Sequence, residues 1–130
     1  MRNRKVKVVV IKENLGYSAS TTIGNSYIAT EADSFEALKA GLVNSLNFTF
    51  EESGKVYNQN DLVFEFDLES FFDFYKVINA KALSERIGMN QSLLAQYIKG
   101  IKKPSPAQTK RILQGVQQIG RELSEVKFIL

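Results

Sequence analysis

The 130-residue sequence contains no cysteine and no histidine. The absence of cysteine excludes disulfides, thiol nucleophiles and thiolate metal ligands. The absence of histidine excludes the commonest general base and the commonest ligand of transition metals. Most enzyme chemistries are therefore disfavoured. The sequence predicts a protein that is not an enzyme, with no catalytic residue, no cofactor and no metal site.

Long apolar runs are also missing. No stretch approaches the roughly 18 consecutive apolar residues that indicate a membrane span. The basic start of the chain leads into a strand-like run without a small-residue cleavage site. With 44% hydrophobic and 24% charged residues, the composition is typical of a globular chain that forms one domain or two small ones. We therefore expect a cytoplasmic protein with no membrane partner.

The net charge of +3 is unevenly distributed along the chain. Residues 1–67 carry seven Lys and Arg against nine Asp and Glu, whereas residues 68–130 carry ten against five. A basic half indicates contact with a polyanion, because Lys and Arg displace counterions from phosphates. A basic surface that meets only solvent is the alternative that charge alone leaves open.

Three strands are predicted at the start of the chain. The run VKVVVIK over residues 6–12 is apolar on both faces, which predicts an inner strand with both faces covered. Residues 17–23 and 26–30 predict two further strands joined by a tight turn at Gly24 and Asn25.

A helix and a fourth strand complete the predicted β-β-β-α-β module of residues 1–67. Asp33 and Glu36 are a candidate capping box at the start of the helix. LVFEFDL, residues 62–68, alternates apolar and acidic residues as a half-exposed strand does. The apolar stripe of the helix has the spacing of one helical face and consists of Phe35, Leu38, Leu42 and Leu46.

Residues 68–130 predict an all-α domain. Phe71, Phe74, Tyr75 and Ile78 have the spacing of a buried helical stripe, which we favour over a base-stacking surface. The three helices that follow have candidate N-caps at Asn79, Asn90 and Ser105, and the first two end at Gly88 and Gly100. In the last helix Ile112, Val116, Ile119 and Leu123 predict the apolar side. The final VKFIL predicts either a short strand or a frayed end.

The helices before and after Gly88-Met89-Asn90 are predicted to meet at a sharp turn. Their apolar residues Leu83, Ile87, Met89, Leu94 and Tyr97 can all face the angle between them. The outer face of the second helix then carries Gln91, Ser92, Ala95, Gln96 and Lys99, with Lys102 and Lys103 just beyond its end. Glutamine pairs with adenine, serine bonds base edges or phosphates, and lysine reaches phosphates. These residues predict a DNA-binding surface.

The segment LSERIGMNQSLLAQYIKGIKKPSPAQTKRIL resembles the Cro/C1-type (XRE family) helix-turn-helix, and the likeness covers about 55 residues. Ser84 stands where that family prefers alanine. The structural positions of the pattern are occupied by Leu83, Ile87, Gly88, Met89, Leu94, Tyr97, Ile98 and Gly100. The resemblance implies that Gln91, Ser92, Gln96 and Lys99 face DNA.

The first half of the chain resembles HicB-type antitoxins, which have a partial RNase H-like module. The likeness lies in GYSAS and in the helix DSFEALKAGLVNSL, while TTIGNSY replaces the family's Asp-Leu-Pro-Gly segment. The matching residues are Gly16, Tyr17, Ser18, Ser20, Ser34, Glu36, Ala37 and Leu38. The resemblance implies an α+β antitoxin of a toxin-antitoxin system. It would neutralise an mRNA-cleaving HicA-like toxin and, as a repressor, bind a pseudo-palindromic operator of double-stranded DNA.

Several alternatives remain at this point. An orphan transcriptional regulator without a toxin partner is the alternative that would also fit the helix-turn-helix. A nuclease could use Glu13, Glu65 and Asp67 to hold two metal ions, although these carboxylates show no fixed motif spacing. The C-terminal helices could also form an interaction bundle that does not touch nucleic acid. Regulators of this kind usually act as homodimers or higher homo-oligomers, for which Phe72, the last helix and VKFIL are candidate contacts.

Overall fold

The computed structural model describes residues 5–130, so the basic start of the chain, residues 1–4, lies outside the described residues. The fold is α+β, with one mixed sheet of four strands and five α-helices within the described part. In chain order the elements are β1 Val6–Lys12, β2 Tyr17–Ile23, β3 Ser26–Ala32, α1 Phe35–Thr49, β4 Leu62–Phe66, α2 Leu68–Phe74, α3 Ala80–Ile87, α4 Gln91–Ile98 and α5 Pro106–Leu123. None of the helices in residues 5–130 is long and apolar enough to cross a membrane.

The chain divides into two compact units, which meet in sequence between Phe74 and Tyr75. The sequence placed this boundary between residues 67 and 68. The difference arises because α2 is bonded to the sheet. The hydroxyl of Ser70 is buried and accepts a hydrogen bond of 2.7 Å from the backbone N–H of Lys12 at the end of β1. The first unit therefore includes α2.

The sheet has the order β3-β2-β1-β4, with β1 antiparallel to β2 and parallel to β4. This confirms the inner position of β1. The prediction that both faces of β1 are covered is wrong, because Val8 and Val10 are fully buried while Val9 is 44% exposed. Helix α1 packs on the face that carries Val8 and Val10, together with Phe74 of α2, whereas Val9 lies on the opposite face.

The predicted tight turn between β2 and β3 is confirmed. Ile23 pairs with Ser26, so only Gly24 and Asn25 connect the strands. Gly24 has φ +60°, which suits the first central position of a type II′ turn and is costly for any residue with a Cβ.

The start of α1 differs from the predicted capping box. The N-cap is Ser34, whose hydroxyl accepts a hydrogen bond of 3.1 Å from the N–H of Ala37. Because the helix begins one residue later than Asp33 would require, Ala37 occupies the third helical position and has no side chain to complete the box. The predicted buried stripe is confirmed for Leu38, Leu42 and Leu46.

Helix α2 begins and ends earlier than the aromatic spacing predicted. Asp67 caps it by accepting a hydrogen bond of 2.8 Å from the N–H of Ser70, and the helix ends at Phe74. Tyr75 and Ile78 lie in the turn that follows. Phe74 is nevertheless a core residue, stacked on Tyr17 at a ring-centroid distance of 3.9 Å and packed against the hydrophobic core of the first unit.

The Tyr17 hydroxyl donates a hydrogen bond to Asp73, and Lys12 forms a salt bridge of 3.1 Å with the same carboxylate. The hydrogen bond to Asp73, with burial and the negative charge of Asp73, raises the pKa of Tyr17 to about 12. Because the folded pKa is raised, the contribution of Tyr17 to stability is complete below pH 10 and is lost as the pH rises towards 12.

We expect Asp73→Asn to lower the pKa of Tyr17 towards the ordinary tyrosine value of about 10. The test is a pH titration of the Tyr ring signals by NMR, with Tyr17→Phe used to assign the resonance that titrates near pH 12. An unchanged Tyr17 titration in Asp73→Asn would show that Asp73 is not the cause.

The second unit consists of α3, α4 and α5. Ser105 caps α5 through the N–H of Gln108, and Pro106 occupies the first turn, as predicted. Ile112 is buried, but Leu123 is 65% exposed, contrary to its predicted place on the apolar side. At 18 residues α5 is more than twice as long as α3 and α4, which have eight each. Leu123 lies in its last turn, on a different side of the helix from Glu122, which forms a salt bridge with Arg86 of α3. VKFIL adopts neither a strand nor a helix.

Candidate nucleic-acid interface

The turn between α3 and α4 is fixed by backbone hydrogen bonds. Gly88 ends α3 with φ +69°, and the N–H of Met89 donates to the carbonyl of Ser84 at 2.8 Å. This is the bonding of a Schellman motif, in which a left-handed glycine satisfies the last carbonyls of a helix. Asn90 then caps α4 by accepting from the N–H of Leu93 at 3.1 Å. Only Gly88, Met89 and Asn90 thus connect the two helices, and both predicted caps are confirmed.

Apolar residues anchor α4 from behind. Leu94 is 1% exposed and lies with Leu83, Met89 and Ile112 among the buried residues of the second unit. Ser84 is also buried, and its hydroxyl donates to the carbonyl of Lys81 at 2.6 Å. The serine at this position is therefore satisfied without a distant partner. With its inner face committed to packing, α4 presents its polar side outward.

Arg111 of α5 holds the turn from the other side. Its guanidinium donates to the carbonyl oxygens of Ile87 at 3.1 Å and Gly88 at 2.7 Å. A cation at a helix C-terminus stabilises the exposed carbonyls and interacts favourably with the helix dipole. The sequence did not indicate this role, since Arg111 lies 23 residues beyond Gly88 and no local pattern marks it.

A salt bridge also links α3 to α5. Arg86 and Glu122 approach to 2.8 Å. Hydrogen bonds from Arg86 and from Gln118 hold the pKa of Glu122 below its usual range, and the hydrogen bond to Glu122 raises the pKa of Arg86. Both side chains are exposed, so salt will screen this pair.

The structure brings the predicted DNA-binding residues onto one continuous stretch. Gln91 and Ser92 are exposed in the first turn of α4, and Gln96 is half-buried one turn later. Within the described chain the side chains of these three residues form no hydrogen bond. Lys99 is the exposed C-cap of the helix. The polar face of α4 therefore offers free amide and hydroxyl groups along roughly 12 Å of helix.

Three lysines lie at the end of this face. The N–H of Ile101 donates to the carbonyl of Gln96 at 2.9 Å, which closes α4 and turns the chain at Gly100. Lys99, Lys102 and Lys103 are all exposed, and in residues 5–130 none of them forms an ion pair. Their ammonium groups are free to meet an anion that lies against α4.

The charge difference between the units is larger than the sequence boundary suggested. Residues 75–130 contain ten Lys and Arg against three Asp and Glu, a net charge of +7. Residues 1–74 contain seven against eleven, a net charge of −4. The unit that carries α4 is the strongly basic one.

The carboxylates considered for metal binding occupy separate places. Glu13 accepts a hydrogen bond of 2.8 Å from the hydroxyl of Ser18, Asp67 caps α2, and Glu65 is exposed on β4. Among residues 5–130, no three His, Cys, Asp or Glu side chains are grouped so that they could hold a metal ion.

No protein-family model, curated protein or solved structure matches this chain. What the described residues offer chemically is a short helix with free amide and hydroxyl groups beside unpaired lysines. Such a surface suits a polyanion that displays hydrogen-bonding groups along a groove.

Proposed function

We propose that this protein is a DNA-binding repressor, in which α3 and α4 form a helix-turn-helix of the Cro/C1 type and α4 is the recognition helix. The observation that carries this proposal is the outer face of α4. Gln91, Ser92 and Gln96 have no hydrogen-bonding partner within the described chain, while the opposite side of the helix is buried at Leu94.

This face of α4 offers groups suited to the base edges of a duplex and, at its end, lysines suited to the phosphates. The major groove is about 12 Å wide and admits one α-helix, and the first residues of a recognition helix contact base edges. Gln91 and Ser92 are the first two residues of α4. Lys99, Lys102 and Lys103 follow at its other end, where they would contact phosphates and orient the helix.

The test is a mobility-shift titration of the full chain with the DNA upstream of its own gene and with random duplex of equal length, at several salt concentrations. We expect tighter binding to the upstream DNA, with an affinity for both duplexes that falls as salt rises. Equal affinity for the two would contradict the repressor proposal. Chemical shifts that change only in α5 on adding DNA would instead favour an interaction bundle.

We expect Lys102→Ala to reduce the slope of log affinity against log salt by about one unit, because one fewer phosphate is neutralised. The loss should be similar for upstream and random DNA, since a phosphate contact carries no sequence information. Lys55→Ala is the matched control, because Lys55 is equally exposed but lies in the acidic unit. A slope unchanged in Lys102→Ala would place Lys102 away from the duplex.

We further propose that the repressor is a HicB-like antitoxin, in which the first unit neutralises a HicA-like mRNA-cleaving toxin. The support is the GYSAS and DSFEAL motifs together with the order of parts, a β-β-β-α-β unit before a helical one. Co-purification of the tagged chain with the product of a neighbouring gene tests this role. A tightly bound small basic ribonuclease is the expected result, whereas its absence would leave an orphan regulator.

A further inference from the structure

Strand β3 is one edge of the sheet. It pairs with β2 on one side, and no strand of the described chain pairs with it on the other. Ile23 and Ser26 flank the two-residue turn and form a hydrogen-bonded pair, after which bonded and non-bonded pairs alternate along the ladder. The backbone N–H and C=O groups of Tyr27, Ala29 and Glu31 therefore point away from β2, towards the open edge.

The neighbouring ladder supports the same alternation. The N–H of Glu13 donates to the carbonyl of Gly16 at 2.9 Å, and alternation from this bonded pair makes Val9 and Ser20 another bonded pair. Ser20 thus directs its backbone groups to β1 and not to its partner Ala29 on the other side. The backbone groups of Ala29 are available to another strand.

Strand β3 lacks the features that usually protect an edge strand from pairing, which are short length, proline, lysine and a β-bulge. It has seven residues without proline or lysine, and it pairs one-to-one with β2 along its whole length. The opposite edge strand, β4, has only five residues. An unprotected edge of this kind can accept an extended segment of a partner, which adds to the sheet as a further strand.

A groove lies beside this edge, between β3 and α1, and has a volume of about 380 Å³. Phe48 of α1 is 77% exposed there. Every second side chain of an added strand would point to the α1 face of the sheet. An apolar side chain at such a position would contact Phe48. The groove is lined by Ile28, Ala29, Asn44, Ser45, Phe48 and Thr49.

The charges beside the edge are of one sign. Residues 14–35, which include β2 and β3, contain Glu31 and Asp33 as their only charged residues. Glu31 is exposed and forms no ion pair with any described residue. The first unit as a whole has a net charge of −4. A partner strand that places lysine or arginine opposite Glu31 is therefore favoured, whereas a second copy would bring the same negative charge to the edge.

We propose that the β3 edge binds an extended basic segment of a partner protein, which adds to the sheet as a fifth strand. Its apolar side chains occupy the groove beside Phe48, and its basic side chains lie on the opposite face near Glu31. The proposal goes beyond the repressor and antitoxin functions. It does not depend on DNA binding, and a toxin bound at another surface would leave it intact.

The experiment is a fluorescence-anisotropy titration of the full chain with a labelled peptide that alternates lysine with valine. The peptide has the seven-residue length of β3 and is capped at both ends. One control peptide is methylated on its backbone nitrogens, so it has the same charge but cannot pair as a strand. A second control peptide has glutamate in place of lysine. Each control should bind about tenfold more weakly or worse.

Two variants test the contact from the side of the protein. Ala29→Pro removes an N–H that β2 does not use, so the fold should be retained and the peptide should bind about fivefold more weakly or worse. Glu31→Lys should weaken binding by about threefold or more and improve binding of the glutamate peptide. Glu65→Lys is the matched control, because Glu65 is an exposed glutamate on the opposite edge strand. It should leave the affinity unchanged.

Amide hydrogen exchange followed by NMR locates the bound peptide. In the free chain the amides of Ile28 and Thr30 should exchange slowly, because they are bonded to β2, while those of Ala29 and Glu31 should exchange fast. Saturating peptide should slow exchange at Ala29 and Glu31 by about tenfold or more.

Three results would overturn the proposal. The first is no binding of the lysine–valine peptide at millimolar concentration, and the second is equal binding of the methylated peptide. The third is protection of Ala29 and Glu31 in the free chain that increases with protein concentration, which would assign the edge to a second copy.

Discussion

Replacing Gln91 by alanine is expected to weaken binding to the upstream DNA by about 1–3 kcal/mol, which is roughly 5- to 150-fold in affinity. Gln91 is the first residue of α4, it is exposed, and its amide is unpaired within the described chain. A glutamine that bonds one base in two places discriminates that base from the others. The loss should therefore be confined to the cognate sequence, with little change in affinity for random duplex.

The measurement is a fluorescence-anisotropy titration at fixed salt with a set of duplexes that differ at single base pairs. Gln114→Ala is the control, because Gln114 is an exposed glutamine of the same unit on α5. Relaxed preference at one base pair in Gln91→Ala, with none in Gln114→Ala, is the expected pattern. Equal losses for cognate and random DNA would assign Gln91 to phosphate contact.

The second large effect is expected at Gly115, where α5 packs against Leu83 and Ile87 of α3. A Cβ at this position would lie 2.4 Å from Cγ2 of Ile87 and 3.2 Å from a methyl of Leu83. Overpacking of this kind costs about 1–3 kcal/mol, and alanine recovers about 1 kcal/mol through its helix propensity. We expect Gly115→Ala to lower the free energy of unfolding by up to about 2 kcal/mol, measured by urea denaturation followed at 222 nm.

The control for this prediction removes the methyl group of Ile87 that lies closest to the new Cβ. In an Ile87→Ala background the same Gly115→Ala change should be neutral or should stabilise by up to about 1 kcal/mol, because the 2.4 Å contact is gone and only the 3.2 Å contact with Leu83 opposes the propensity gain. A cost that persists after Ile87 is truncated would mean that the close approach of the helices is not the reason for glycine at position 115.

The sequence correctly predicted features that are formed by residues close to one another in the chain, such as helix caps and tight turns. Asn79, Asn90 and Ser105 each accept a hydrogen bond from a backbone N–H three residues later, as an N-cap does. The tight turn at Gly24 and the buried leucine stripe of α1 depend equally on residues close in sequence. Such features need no knowledge of the distant chain.

The wrong predictions concern burial and contacts that depend on residues distant in sequence. The two-sided burial of β1 was wrong because coverage depends on how many helices pack on the sheet. The exposure of Leu123 depends on which sides of α5 the distant helices α3 and α4 cover. The contacts of Asp73 with Tyr17 and of Arg111 with Gly88 join residues 56 and 23 positions apart. The periodic pattern of apolar residues carries no information about contacts between residues so far apart in sequence.

The exposure of most candidate site residues was predictable from the sequence, but the contacts that hold the turn before α4 were not. Gln91, Ser92, Lys99, Lys102 and Lys103 are all exposed, as expected, whereas Gln96 is half-buried beside the turn that its own carbonyl helps to close. The role of Arg111 in fixing the turn depends on contacts distant in sequence, and a surface arginine on α5 looks the same in sequence whether or not it reaches another helix.

If α4 is the recognition helix, as proposed, its short length limits how many base pairs one copy can contact. Eight residues extend about 12 Å, which spans roughly four base pairs at about 3.4 Å each. A four-letter word recurs by chance about once in every 250 base pairs, and two such words at fixed spacing about once in every 65,000. With roughly a million or more competing positions, even a pair of copies would need added discrimination from duplex bendability or from adjacent operators.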